Sequence, residues 1–423
     1  NYLGWCNPTH PNHNPTRDVC NSKVIGGWDF SDNQITGTNR EAAGFEDENG
    51  HGSHTASTAA GNKRQAQILG YDVTIQGVAP RANLVIYDAC YTNSAGNGLC
   101  GNDATLASIN QAVADGVVDV INYSISGGAQ PWAEAASLAF LAAHNAGIYV
   151  SASAGNSGPG AATVAHNEPW VTTVAASTHS RRTYGFALSI TGPTIEPATT
   201  DMLTRPGVAA PLINSLPLLN VPVVKSPTYD NAANNDGCAA FPAETFSRGG
   251  IRGIAVIHFR NGASVCGTSV RANNAVTAGA DAVVFVPETI GTLNAAGGAN
   301  RPVFVLLRED NKAALLAALD ANPAALVGSF PSAVGQPFPG LGDVMANFSS
   351  RGPNTFDFLK PDVSAPGVQI LAAVARWNLA TAPGSLNPAL NGAVGLLDGT
   401  SMSSPHNAGA AALVKAVNRS WKP

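Results

Sequence analysis

The sequence predicts an α/β protein: a doubly wound, mostly parallel sheet with helices on both faces, interrupted by a small α/β insertion. Between residues 77 and 176, short apolar segments with many β-branched residues alternate with helical patterns, as is typical of parallel sheets covered on both faces. Near residue 196 this pattern gives way to a Pro-rich stretch, and after about residue 340 it resumes. We therefore expect a main domain formed by residues 1–195 and 338–423, with an inserted domain over residues 196–337.

The individual elements follow from local patterns. Small residues at helical spacing predict a tightly packed helix over residues 51–61, and an alanine-rich pattern predicts another over residues 408–417. Further strands of the main domain are predicted at residues 24–30, 83–87, 119–125, 147–153 and 170–176, with helices at 105–115 and 132–145. In the insertion, strands are predicted at 221–224, 253–258, 282–286 and 303–307, with helices at 268–278 and 310–319.

Composition and charge exclude several classes of protein. The 423 residues are 44% hydrophobic and only 12% charged, with a net charge of −5. Because no basic block is present, nucleic acid is not expected as a partner. No apolar run reaches the roughly 18 residues of a membrane span. The abundance of Gly, Pro, Asn, Ser and Ala is typical of a loop-rich secreted protein.

The cysteines fall into three close pairs: Cys6 with Cys20, Cys90 with Cys100, and Cys238 with Cys266. They form no C-x-x-C motif and no Cys/His cluster with zinc spacing. An even number of locally paired cysteines predicts three disulfides and an oxidising compartment. The alternative is six reduced, buried thiols.

A Gly399-Thr400-Ser401 turn leads into the last predicted helix and places the Ser401 hydroxyl at a helix N-terminus. The free N–H groups and the dipole there favour negative charge. A serine in this position can attack a carbonyl carbon if a base takes its proton. The alternative is that Ser401 only caps the helix.

Two histidines, His51 and His54, share one face of the first predicted helix. They could bind a metal ion, but the H-x-x-H spacing lacks the glutamate and the third ligand of a zinc protease, so no metal site is predicted. Alternatively, His51 is a general base, and a lone histidine can also be purely structural. The pattern leaves these interpretations open.

Loops that follow predicted strands are the expected position of a site in a parallel sheet. Residues 124–128 follow one strand, and residues 154–159 follow the next. Asn156 lies between Gly155 and Gly158 in the second loop, where the backbone can approach a ligand closely. Its amide could donate to an oxyanion, or it could simply be a turn asparagine.

Seven stretches, in the family's order, resemble a subtilisin-like serine protease (a subtilase): HGSHTASTAAG, GVAPRANLVIYDAC, DVINYSISGG, SASAGNSGPG, NFSSRGPN, KPDVSAPG and GTSMSSPH. The resemblance covers most of residues 20–195 and 340–423. The insertion is similar to the protease-associated domain of larger secreted subtilases, including plant cucumisin-like and bacterial members. That second resemblance rests on Cys238, GIRGIAVIHFR, Cys266 and NNAVTAGADAVVF.

The resemblance implies roles for individual residues. Ser401 matches the nucleophile, His51 the general base, and Asn156 the side-chain oxyanion donor, joined by the Ser401 N–H. The implied substrate-binding residues are those that pair with the substrate backbone, Ser124, Ile125, Ser126 and Gly127, and those that wall the primary specificity pocket, Ser153, Ala154 and Gly155.

The resemblance further implies a secreted serine endopeptidase that hydrolyses peptide bonds through an acyl-enzyme. Its partners would be protein or peptide substrates, with a propeptide inhibitor as a further candidate. The chemistry requires no cofactor, although the family allows a structural calcium ion. A second hypothesis is a catalytically inactive, protein-binding scaffold of the same fold. A third makes the insertion the main functional part, as a protein-binding module.

One family feature is absent from the sequence. Subtilases take the third triad residue from an Asp-(Ser/Thr)-Gly turn ahead of the histidine, and no Asp here is followed by Ser or Thr. Asp29, Asp32 and Asp47 precede His51 but lack the apolar strand that leads into such a turn. We therefore expect the aspartate to precede Asn1 in the native polypeptide. The alternatives are a substitute carboxylate and the inactive scaffold.

Overall fold

The structure is a computed structural model that describes most of the chain: residues 2–15, 20–31, 44–47, 49–92, 98–192, 201–206, 215–226, 237–259, 266–287, 301–354, 356, 359–375 and 394–423. The chain forms two compact units. The first consists of Asn1–Ile68, Asp72–Arg181 and Leu341–Pro423, and the second of Leu69–Tyr71 and Arg182–Gly340. The second unit contains the predicted insertion, residues 196–337, and takes in flanking residues on both sides.

The described helices are α1 His51–Ala60, α2 Asn102–Ala114, α3 Ala135–Asn145, α4 Thr268–Thr277, α5 Glu309–Ala321 and α6 Thr400–Val417. The first ten described strands are β1 Leu3–Gly4, β2 Val24–Asp29, β3 Arg64–Ile68, β4 Tyr71–Ile75, β5 Leu84–Asp88, β6 Cys90–Thr92, β7 Gly98–Cys100, β8 Val120–Tyr123, β9 Tyr149–Ser153 and β10 Thr172–Ser177. The remaining described strands are β11 Thr183–Thr191, β12 Met202–Pro206, β13 Leu218–Lys225, β14 Ser247–Arg248, β15 Ile251–Phe259, β16 Ala280–Pro287, β17 Val303–Leu306, β18 Val327–Phe330, β19 Gln336–Phe338, β20 Val363–Pro366, β21 Ile370–Ala373 and β22 Val394–Leu397.

The first unit contains two parallel sheets, ordered β1-β2-β5 and β20-β10-β9-β8. Alternate residues of β9 face opposite sides of its sheet. Val150 and Ala152 join an apolar core with Phe140 of α3, whereas Ser151 donates a hydrogen bond to the Ser404 carbonyl of α6. Helices therefore cover both faces of a parallel sheet, as predicted.

The second unit is built around a ring of strands. The order β12-β17-β16-β15-β13-β18-β11 closes on itself because β11 pairs with both β18 and β12. In β15, Ile254 and Val256 face one apolar core, while Ala255 and Ile257 face another that includes α4. This two-sided burial explains why β15 was recognisable as a continuous apolar run.

The sequence patterns missed several strands of this unit. The predicted irregular stretch after residue 196 contains β12, and β11 was not predicted at all. In β11 the apolar residues Phe186, Leu188 and Ile190 recur at every second position, a strand signal that the prediction missed. Strands β11 and β12 pair with each other, and Phe186, Leu188 and Met202 are almost completely buried.

The last helix also differs from the prediction. It begins at Thr400, eight residues before the predicted start, and contains Pro405. Proline lacks the N–H that a helix interior normally donates, yet the helix continues through it. In the structure Ser401 lies in the first turn of this helix.

All three predicted cysteine pairs are bonded as disulfides: Cys6–Cys20, Cys90–Cys100 and Cys238–Cys266. Cys90 and Cys100 are directly opposite each other in the β6–β7 hairpin. Among the residues that the structure describes, no helix combines the length and apolar character needed to cross a membrane.

Candidate active site

Helices α1 and α6 lie side by side and run in the same direction. Near the end of α1, Gly409 of α6 packs so closely that a Cβ on it would lie 2.8 Å from the Ala59 carbonyl oxygen. Near the start of α1, the His54 Nε2–H donates to the Gly395 carbonyl, 3.2 Å away, just before α6 begins. The two helix N-termini therefore lie at the same end of the pair.

This pairing sets the positions of the two predicted catalytic residues along the helix axes. His51 precedes Ala59 by eight positions, and Ser401 precedes Gly409 by eight positions. At 1.5 Å rise per residue, both lie about 12 Å back from the Ala59–Gly409 contact. In this structure the Ser401 hydroxyl donates to the Ser124 carbonyl at 3.3 Å, and among the described residues it makes no hydrogen bond to His51.

Pro405 explains a second contact of Ser401. A residue at this position would normally donate its N–H to the carbonyl four residues earlier, which is that of Ser401. Because Pro405 has no N–H, the Ser401 carbonyl accepts from the Ser124 hydroxyl instead, at 2.8 Å. Two hydrogen bonds therefore join the predicted nucleophile to the predicted substrate-binding segment.

The side-chain amide of Asn156 is oriented by Thr400. Its Oδ1 accepts from the Thr400 N–H at 2.9 Å and from the Thr400 hydroxyl at 3.0 Å. The Thr400 hydroxyl in turn accepts from the Gly155 N–H at 3.1 Å. Since both donors require an oxygen, the Nδ2 group of the exposed Asn156 remains available as a donor beside the N-terminus of α6. Sequence reasoning missed Thr400, because its partner is far away in the chain.

His51 is the first residue of α1, and the small residues that predicted this helix follow it. Burial lowers the pKa of His51 below the ordinary value of a histidine, and the negative charge of Asp47 opposes this shift. A histidine that is neutral near physiological pH can accept a proton from a hydroxyl.

From the sequence, Asp47 was one of three aspartates ahead of His51 that lack the strand leading into the family's turn. In the structure it caps α1: its carboxylate accepts from the N–H groups of Gly50 at 2.7 Å and Ser53 at 2.5 Å. The described residues contain no carboxylate that hydrogen-bonds to the His51 ring. Asp29 accepts from the backbone of Ser31 and Gly44 instead, and Asp32 lies outside the described residues.

The predicted substrate-binding residues come together at the carboxyl edge of the second sheet. Strands β8 and β9 pair in parallel, with Tyr123 opposite Ala152, so the segments that follow them are neighbours. Ser124, Ile125, Ser126 and Gly127 continue β8, and Ser153, Ala154 and Gly155 are buried at the end of β9. Ser126 is exposed, so this segment has one open side.

The sequence profile of the subtilase family matches residues 6–423. The chain belongs to the subtilase family. Two curated relatives from Arabidopsis thaliana are similar to it: Subtilisin-like protease SBT1.7, 32% identical over 99% of this chain and 53% of its own length, and Subtilisin-like protease SBT1.6, 34% identical over 96% of this chain and 51% of its own. The chain spans about half the length of these relatives.

Among solved structures, this subtilase chain is similar to an S41 psychrophilic protease, at 17% sequence identity and a TM-score of 0.41. The alignment covers 93% of this chain and 71% of the protease chain. A likeness of that size carries no argument about the site. In the part of this subtilase that the structure describes, no group of three or more His, Cys, Asp and Glu side chains is arranged to hold a metal ion.

Proposed function

We propose that this subtilase is a serine endopeptidase in which Ser401 is the nucleophile and His51 the general base. The observation that carries the proposal is the parallel alignment of α1 and α6, which sets both residues at the same level and at the same end of the helix pair. Ser401 turns from its Ser124 contact toward the base when a substrate binds. Its hydroxyl proton passes to His51 as its oxygen bonds to the peptide carbonyl carbon.

The negative charge that develops on the carbonyl oxygen is stabilised by the Nδ2 group of Asn156 and the N–H of Ser401. Support comes from the two Thr400 hydrogen bonds, which hold the Asn156 amide in one orientation before substrate arrives. Donors that are already in position cost no reorganisation in the transition state. His51 then returns the proton to the leaving amine, and water releases the acyl group from Ser401.

The substrate backbone binds along residues 124–127 as an added strand. The carbonyls of Ile125 and Gly127 accept hydrogen bonds from His166 on one side. In an extended strand the N–H and C=O of the intervening residue point to the opposite side. Ser126 therefore offers its N–H and C=O to the substrate. Ser153, Ala154 and Gly155 form one wall of the pocket that receives the adjacent substrate side chain.

We further propose that the third triad residue is an aspartate that precedes Asn1 in the native polypeptide. This is supported by the absence, among the described residues, of a carboxylate bonded to the His51 ring. Within the same described part, β5 and β8 each stand at the edge of a parallel sheet, and either edge can receive a further strand. A missing orienting carboxylate costs about 10⁴-fold in turnover.

The remaining parts of the proposal concern the whole protein. Three disulfides favour an oxidising compartment and hence secretion. The second unit is proposed to be a protease-associated domain, and the substrates to be proteins or peptides, with a propeptide inhibitor as a further partner. The mechanism needs no cofactor, and a calcium ion would be structural only.

A fluorophosphonate probe tests the nucleophile directly, because it reacts only with an activated serine. We expect labelling of Ser401 in the full-length protein and none in the Ser401→Ala variant, with labelling at least a hundredfold slower in His51→Ala. The chain that begins at Asn1 should label about 10⁴-fold more slowly than the full-length protein. An unlabelled full-length protein would contradict the proposal and favour the inactive scaffold.

A further inference from the structure

A buried His–Glu pair lies directly behind the substrate-binding segment. His166 is 1% exposed and Glu168 is completely buried. The His166 Nδ1 lies 3.2 Å from Glu168 Oε1, and the Ser137 hydroxyl donates to the same oxygen at 2.7 Å. A buried carboxylate is costly unless it is paired. Both contacts are made by Oε1, and among the described residues Oε2 has no hydrogen-bond partner.

The purpose of the pair is indicated by what else His166 contacts. Its Nε2–H donates to the Ile125 carbonyl at 2.8 Å, and its backbone N–H donates to the Gly127 carbonyl at 2.7 Å. These two carbonyls belong to alternate residues on the same side of the segment. One residue therefore holds the backbone on either side of Ser126.

The geometry of the pair suits two donors on the ring. Both ring nitrogens of His166 face oxygen acceptors, the Ile125 carbonyl at Nε2 and the Glu168 carboxylate at Nδ1. Burial by itself raises the pKa of Glu168, but its hydrogen bond to His166 and the charge of that ring outweigh burial and leave the pKa below its ordinary value.

The next residue, Gly128, packs against the same carboxylate. Gly128 has a φ of 73°, and a Cβ on it would lie 2.4 Å from both oxygens of Glu168, so only glycine fits between the segment and the pair. The Gly128 N–H donates to Glu134 at 2.8 Å, and its carbonyl accepts from the Asn167 N–H at 3.0 Å.

The packing around the ring contains few other ionisable groups. Tyr123 of β8 and Phe140 of α3 contact the ring edge to face, with centroids 5.5 and 6.3 Å away. Burial raises the pKa of Tyr123 to about 12, so this phenol stays neutral. Glu134 faces the segment from the start of α3, and its carboxylate is bound by the Gly128 and Gln130 N–H groups.

We propose that His166 and Glu168 are a positioning pair for substrate binding: the hydrogen bonds of His166, whose ring is held by Glu168, fix the backbone of residues 125–127 so that Ser126 presents its N–H and C=O to an extended peptide. The inference rests on the proposed function, because it assumes that residues 124–127 receive the substrate. The pair touches no reacting atom. Its contribution should therefore appear with substrates long enough to lie along the segment and not with those that occupy only the specificity pocket.

Two matched variants separate the effect of the His166 hydrogen bond to Ile125 from the effect of side-chain size. His166→Phe/Glu168→Gln keeps a ring of similar size, leaves no unpaired buried charge and removes the donor to Ile125. His166→Gln/Glu168→Gln is also neutral but keeps an N–H donor at that position. Since His166 has a φ of 58°, both replacements carry a similar backbone cost. Each variant is made in the full-length protein.

The readout is the ratio of kcat/KM for a tetrapeptide amide to that for a single-residue amide with the same pocket side chain. We expect the Phe-containing variant to lower this ratio about tenfold, as for the loss of one hydrogen bond, with the single-residue substrate changed less than twofold. The Gln/Gln variant should recover most of the ratio. Equal losses for both substrates, or equal losses in both variants, would overturn the proposal.

The outcome is distinguishable from failure of the proposed function. If the wild-type protein neither labels at Ser401 nor cleaves either substrate, the endopeptidase proposal fails. If it does both and the ratio does not change in the Phe-containing variant, only the positioning proposal fails.

If the Phe-containing variant does not fold, the proposal is tested on the wild-type protein by nitrogen NMR with ¹⁵N-labelled histidine. The His166 signals are assigned from their loss in the Gln/Gln variant. We expect two protonated ring nitrogens at pH 7. A ring without a proton on the nitrogen that faces the Ile125 carbonyl would overturn the proposal.

Discussion

At the scale of single residues, the environment of Ser401 is made by side chains from distant parts of the chain. Ser124 contacts both its hydroxyl and its carbonyl, and Asn156 is held against the start of α6 by Thr400. The polar atoms at the N-terminus of α6 are therefore organised before any substrate is bound, which is the condition for electrostatic stabilisation of an oxyanion.

Replacing Asn156 by alanine should lower kcat about 10²–10³-fold with little change in KM, because in the proposed mechanism its amide binds the oxyanion only in the transition state. This magnitude is the one known for the equivalent donor in subtilisin. Steady-state kinetics on a peptide substrate provide the measurement. Ser157→Ala, at the exposed neighbouring position, is the control. A change in KM alone would show that Asn156 contacts the substrate and not the oxyanion.

The negative charge of Asp47 should influence the pH profile of kcat/KM through its effect on His51. Its carboxylate raises the pKa of His51 against the larger lowering by burial, and the base is active only when it is neutral. Asp47→Asn removes the charge and keeps an oxygen to cap α1, so the acidic limb of kcat/KM should move to lower pH. Asp72→Asn, at an exposed carboxylate, should leave the limb in place. Movement to higher pH would refute this electrostatic coupling.

At the scale of elements, the register of α1 against α6 and the β21–β22 hairpin aligns the two proposed catalytic residues. Gly409 allows α6 to approach α1 at backbone distance. On the hairpin side, the His54 Nε2–H is shared between the carbonyls of Ile370 at 2.9 Å and Gly395 at 3.2 Å. The second histidine of the H-x-x-H pair is thus a structural link between α1 and the hairpin, and no metal is needed to explain it.

This link should make stability depend on pH. Burial lowers the pKa of His54 to about 4, against the opposing effect of its two carbonyl acceptors, whereas the unfolded value is about 6.5. Because the folded pKa is the lower one, the unfolded chain binds the proton first. Stability is fully present above about pH 6.5 and falls by roughly 3 kcal/mol as the pH approaches 4.

Urea unfolding at several pH values checks this prediction against the His54→Gln variant, which has no titrating group at that position. The wild-type protein should be the more stable at pH 7, and its advantage should shrink by roughly 3 kcal/mol at pH 4. An advantage that is constant with pH would mean that His54 is not buried as a neutral ring.

At the scale of the whole molecule, the chain leaves the first unit after Arg181 and re-enters it at Leu341. Each unit has its own apolar core: Phe140 and Val150 belong to that of the first, and Ile254 and Phe304 to that of the second. The six tryptophans all lie outside residues 182–340, so tryptophan fluorescence reports on the first unit alone.

The Cys238–Cys266 disulfide should stabilise only the second unit. Its closure of a 28-residue separation corresponds to about 3–4 kcal/mol of unfolded-state entropy. In the Cys238→Ser/Cys266→Ser variant we expect unfolding of the second unit, followed by far-UV circular dichroism, to occur at lower temperature or denaturant concentration. The unfolding transition seen by tryptophan fluorescence and the labelling of Ser401 should be unchanged. Cys90→Ser/Cys100→Ser, in the first unit, should shift the tryptophan transition. A shift of both signals in the first variant would mean that the two units unfold as one.

The local features of this protein were predictable from sequence because they depend on neighbours within a few residues. The alternating pattern of β9, the small residues of α1 and the turn before Ser401 each follow from local periodicity or turn chemistry. The motif order was sufficient to indicate the subtilase family, and the close spacing of the cysteines was sufficient to pair them.

Only the tertiary structure decided which side chains meet. The bond from Ser124 to Ser401 spans 277 residues and that from Thr400 to Asn156 spans 244, while His166 reaches Ile125 across 41. The contacts of Thr400, of Asp47 as a cap and of the His166–Glu168 pair leave no periodic signal in the sequence. They depend on geometry that forms when distant segments pack together, and local propensity contains no information about those partners.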